Sequence, residues 1–80
     1  MRIIVESTGT LVSFDVEGVS IPARIWQGET DSGIPVQVYV TRLAPEIPPD
    51  DPRQEQFQRE LQEQAAPRDT VRAIPLRLIL

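Results

Sequence analysis

Apolar and polar residues alternate through the first half of the chain, and turn-forming residues interrupt the alternation at short intervals. A period of two marks half-buried strands, so the pattern predicts four of them, over residues 2–6, 11–16, 19–26 and 35–42. A two-residue turn at Thr8-Gly9 sets Val5 opposite Val12 and Ile3 opposite Phe14. A second turn at Glu17-Gly18 sets Val16 opposite Val19, Phe14 opposite Ile21 and Val12 opposite Ala23, with glycine supplying the positive φ of a tight hairpin. Beyond a longer connection over residues 27–33, Ile25 opposite Val36 or Val38 keeps the same faces aligned. One face of the meander then carries Ile3, Val5, Val12, Phe14, Ile21, Ala23, Ile25, Val36, Val38 and Val40, and such a face needs a cover.

The second half supplies one. Residues 44–51 are a stiff, proline-rich crossover. Asp51 then reads as the N-cap of a helix over residues 52–66, with Pro52 at its first position and Gln54 placed for a capping box. Phe57, Leu61 and Ala65 recur at four-residue spacing as an apolar stripe for the sheet, and Glu55 and Arg59 stand one turn apart. Pro67 closes the helix, and a last strand over residues 71–80 puts Ile74, Leu76, Leu78 and Leu80 on one side. The predicted fold is a single α+β domain in the order β-β-β-β-α-β. It comprises a four-stranded antiparallel meander over residues 1–43, one amphipathic helix packed on one face, and a C-terminal fifth strand. A small curled β-barrel with one helix is the alternative.

Composition narrows the chemistry. Eighty residues, 40% of them hydrophobic, suit one small core. The chain has no Cys, His, Lys or Asn, which removes thiolate and imidazole nucleophiles, the usual zinc ligands and Schiff-base amines. No cofactor, metal or catalytic motif is predicted. The net charge of −4 and pI near 4.6 argue against direct nucleic-acid binding. No apolar stretch reads as a signal peptide or a membrane span, so the expected location is cytoplasmic.

The second face of the predicted sheet holds the candidate site. It carries Ile4, Leu11, Trp26, Tyr39 and Ile79 among Arg2, Ser13, Asp15, Arg24, Gln37 and Thr41. An aromatic pair beside an arginine is the composition of a contact surface, and Trp26 across from Gln37 would bring Arg24 across from Tyr39 for stacking. The competing reading is a cross-strand cluster that only stabilises the sheet, with Arg2 opposite Asp15 as a surface ion pair. Four further features have plainer explanations. The acidic loop with Glu29 and Asp31 is a solvated hairpin end, Asp50-Asp51 a helix cap, the glutamine-rich helix face a solvated surface, and Pro45-Glu46-Ile47-Pro48 a stiff linker.

Three functions follow. The first is a protein-interaction module that self-associates as a homodimer or docks on a protein partner through Ile4, Leu11, Arg24, Trp26, Gln37 and Tyr39. The second is an acidic regulator or inhibitor of a nucleic-acid-binding protein, because between Glu46 and Asp69 acids outnumber arginines. The third, a carboxylate-based enzyme, has no supporting spacing of acid and base.

Overall fold

The computed structural model describes residues 1–72. It contains β1 (Ile3–Val16), β2 (Val19–Thr30), β3 (Pro35–Val40) and α1 (Arg53–Leu61). The strands form one open antiparallel sheet in the order β1-β2-β3. This replaces both the four-stranded meander and the closed barrel. The strands expected over residues 2–6 and 11–16 fall, from Ile3 onward, in one long strand, and each part pairs with β2 rather than with the other. The predicted fifth strand lies outside the described residues from residue 73 onward, and Val71 and Arg72 are in no strand.

The turn expected at Thr8-Gly9 is a bulge. Between the pairs Ser7/Trp26 and Leu11/Arg24, the residues Thr8, Gly9 and Thr10 all stand opposite Ile25, so the strand bends and continues instead of reversing. Gly9 does not adopt the positive φ that a tight hairpin requires, whereas Gly18 does at 79°. Side chains satisfy the interrupted ladder. The Thr8 hydroxyl donates to the Ile25 carbonyl at 2.7 Å and accepts the Thr10 N–H at 3.3 Å, and the Arg24 guanidinium donates to the Thr8 carbonyl at 2.8 Å. Thr8 is completely buried. Replacing it with valine keeps the shape but leaves the Ile25 carbonyl without this donor, so Thr8→Val is expected to cost about 1.5 kcal/mol in urea unfolding. A variant as stable as wild type would mean that the hydroxyl does not hold the bulge.

The second hairpin follows its sequence. Glu17 and Gly18 both have positive φ, as a type I′ turn requires, and Val16/Val19, Phe14/Ile21 and Val12/Ala23 pair as the pattern predicts. The next connection is shorter than expected, because residues 27–30 belong to β2. Thr30 closes the loop: its N–H donates to the Ile34 carbonyl, its carbonyl accepts the Gly33 N–H, and its hydroxyl accepts the Ile34 N–H. The acidic loop is thereby reduced to Asp31–Ile34, with Glu29 inside the strand.

The register of β3 is the larger departure. Ile25 pairs with Tyr39, Trp26 with Val38, Arg24 with Val40 and Gln27 with Gln37, one residue from the predicted alignment with Val38 opposite Ile25 and three from the one with Val36. Since a shift of one exchanges faces, the sheet is apolar on both sides. Val12, Phe14, Ile21, Ala23, Ile25 and Tyr39 share one face. Ile3, Val5, Trp26, Val36, Val38 and Val40 share the other. The fully enclosed apolar core is small, consisting of Ala23 and Ile25 among the described residues.

The helix is also shorter than the apolar stripe suggests. It ends at Leu61, with tighter bonds from the Gln62 and Glu63 N–H groups back to Arg59 and Glu60, and buries none of its residues fully. Its N-cap position is held by Pro52, which makes no side-chain capping bond, and not by Asp51 as expected; Asp51, one residue earlier, accepts the Arg53 N–H at 2.8 Å and pairs with the Arg53 guanidinium at 2.8 Å. That side-chain bond, followed by the backbone one, holds the Asp51 carboxyl below its usual range. Gln54 does not complete a capping box; its amide donates to the Pro48 carbonyl at 3.2 Å.

Candidate functional site

The register decides which candidate residues meet. Arg24, Trp26 and Leu11 share one face, while Ile4, Gln37 and Tyr39 share the opposite one. The proposed stacking of Arg24 on Tyr39 therefore does not occur. Arg24 reaches over the bulge to Thr8, and Tyr39 stacks on Phe14 with ring centroids 5.2 Å apart. Ile4, at 83% exposure, stands on an outer strand away from that stack.

On the Tyr39 face the chain after α1 crosses the sheet as an extended segment. Ala65 enters at the bulge, donating its N–H to the Ser7 carbonyl at 2.8 Å and forming a parallel bridge with Thr8. Two paired glutamines then hold the segment by its backbone. Gln27 donates to the Ala66 carbonyl at 3.1 Å and accepts the Arg68 N–H at 2.8 Å. Gln37 donates to the Arg72 carbonyl at 2.8 Å and accepts the Arg72 N–H at 3.0 Å, and the Tyr39 hydroxyl donates to that same carbonyl. A primary amide offers the same donor and acceptor as a peptide group, so each glutamine acts as a fragment of strand laid across the sheet. The sequence pattern puts Gln37 in a contact surface and Gln27 at the start of the loop over residues 27–33, whereas Gln27 lies inside β2. Partners forty residues away leave no local signal.

On the Trp26 face lies a groove made of two adjoining clefts, about 480 and 270 Å³ in volume. Ser7, Trp26, Leu43 and Leu61 line both. Phe57 and Ala65 extend the apolar lining at one end, and Leu11, Pro22 and Val40 extend it at the other. The expected stripe of Phe57, Leu61 and Ala65 thus converges on Trp26, but as the wall of an open groove rather than as a lid over the sheet. Phe57, Leu61 and Trp26 remain only half-buried. Glu60, Glu63 and Gln64 border the Phe57 end, and Arg24 borders the Leu11 end. Leu43, the crossover residue common to both clefts, is 49% exposed and was outside the predicted site. Its place next to Trp26 comes from the path of the crossover, which has no periodic signature.

Among the described residues no three carboxylates gather closely enough to hold a metal ion, and no helix is long and apolar enough to cross a membrane. No protein-family model, curated protein or solved structure matches the chain.

Proposed function

We propose that the chain is a protein-interaction module whose docking surface is the Trp26 groove. The supporting observation is that the only tryptophan in the sequence lies in an open, mainly apolar groove, walled by a helix that buries none of its own residues fully. Tryptophan in a partly desolvated pocket is the residue type that most often dominates binding energy at interfaces, and a groove of this size admits one or two side chains of a partner segment.

Selection of displayed random peptides on the full chain tests the reading. Enriched peptides should shift Trp26 emission on titration, and Trp26→Ala should weaken their binding by about tenfold or more, with the circular dichroism of the sheet retained. Peptides that bind Trp26→Ala as tightly as wild type would remove the groove from the function. Self-association is the second reading, favoured by the ribbon at the β1–β2 turn. There β2 residues before Arg24 pair with β1 alone, and Val16 and Val19 are more than half exposed. Light scattering after size exclusion distinguishes dimer from monomer.

A further inference from the structure

We infer that the occupant of the Trp26 groove is a cationic apolar segment of a protein partner, with aliphatic or aromatic side chains seated on Trp26 and a lysine or arginine at the Phe57 end. The inference rests on the groove being the docking surface and adds the chemistry of what docks. At that end Glu60 and Glu63 line the cleft together with Phe57 and Leu61, and no basic residue among the described ones lines it; Glu6 lines it too, but its carboxylate already accepts from the Gln27 amide. Among the described residues neither Glu60 nor Glu63 is in an ion pair, and the salt bridge there joins Arg53 to Asp51. Two carboxylates next to half-buried apolar walls favour a cation whose alkyl stem lies along those walls, which is how lysine and arginine bury methylenes while keeping the charge at the rim. At the other end Arg24 lines the groove and disfavours a second cation there, so the groove is polarised along its length and gives the segment a direction. An acidic segment meets like charge at Glu60 and Glu63, and a purely apolar one leaves both carboxylates without a partner.

The test titrates the full chain with two synthetic peptides, one of leucine and lysine and one of leucine and glutamate in the same order, while reading Trp26 emission. The leucine–lysine peptide should bind, and its affinity should fall as salt rises. Glu60→Gln and Glu63→Gln should each weaken it about threefold, as expected for carboxylates at an exposed rim. Glu17→Gln, in the β1–β2 turn and outside the groove lining, should leave it unchanged, which separates a local effect from the overall negative charge. Equal binding of both peptides, or equal weakening by the Glu17 and Glu60 substitutions, overturns the cationic specificity while leaving a docking groove. Absence of any Trp26 response to either peptide overturns the groove itself. A dimer whose Trp26 is shielded from acrylamide, and which neither peptide dissociates, would assign the groove to a second copy and overturn the inference as well.

Discussion

Gly28→Ala is expected to destabilise the protein by about 3 kcal/mol or more, a large share of what a domain of this size possesses. Gly28 pairs with Val5 in the first part of β1. A Cβ on Gly28 would lie 1.8 Å from the Ile4 carbonyl oxygen and 2.8 Å from both the Ile4 carbonyl carbon and the Val5 Cα. These are backbone atoms of the neighbouring strand, so no side-chain rotation relieves the clash. Either β1 moves away and loses its pairing with residues 26–30, or β2 distorts where Gln27 and Thr30 are buried. Gly9→Ala is the informative comparison. Among the described residues a Cβ there meets only the Gln64 Oε1 at 3.4 Å, and Gly9 lacks the positive φ that alanine tolerates poorly. It should change stability by less than about 0.5 kcal/mol. Urea unfolding of the two variants tests the fold directly, because a hairpin at Thr8-Gly9 would reverse their order: Gly9 would be the intolerant position and Gly28 a permissive loop glycine. A tolerated Gly28→Ala would mean that β1 does not run beside the second half of β2.

The same two glycines show how much of the fold was legible. The Glu17-Gly18 hairpin is local: two turn residues and the strands beside them fix its register, and the alternation of Val12, Phe14 and Val16 against Val19, Ile21 and Ala23 is unambiguous. At Thr8-Gly9 the same reasoning fails because apolar residues occur in both parities, with Ile3, Ile4 and Val5 on one side of the glycine and Leu11 and Val12 on the other. A hairpin aligns Val5 with Val12, whereas a continuous strand puts them on opposite faces, and each arrangement buries a plausible set. What separates them is non-local: the Arg24 guanidinium on the Thr8 carbonyl and the Ala65 N–H on the Ser7 carbonyl. The shifted register of β3 has a similar origin. Its valines fit either face, and Tyr39 goes to the side where Phe14 and the Arg72 carbonyl receive it. Of the candidate site, Trp26, Arg24 and Leu11 were legible as neighbours because they share one parity within a single antiparallel pair. Their separation from Ile4, Gln37 and Tyr39 follows from the bulge and the shifted register, each of which depends on contacts distant in sequence.

The second large effect belongs to Gln27, a polar residue at the centre of the sheet that is only 4% exposed. Its amide makes three hydrogen bonds, to the Glu6 carboxylate at 3.0 Å, to the Ala66 carbonyl at 3.1 Å and from the Arg68 N–H at 2.8 Å. Gln27→Leu removes all three at nearly constant volume and is expected to cost about 2 kcal/mol, since the atoms left behind at Ala66 and Arg68 can recover part of the loss from water. The loss should be local before it is global. Freed from Gln27, the segment over residues 65–72 retains its bonds to Ser7 and Gln37, so amide exchange at Arg68 should accelerate well before exchange at Ile25. Gln37→Leu, which releases only the far end at Arg72, should leave the Arg68 amide protected. Gln27→Glu should be worse than leucine at neutral pH, because it sets a second carboxylate against Glu6. It should improve as acid protonates one of the pair, since like charges favour the neutral form. Unchanged Arg68 protection in Gln27→Leu would show that the segment is held by something other than the paired glutamines.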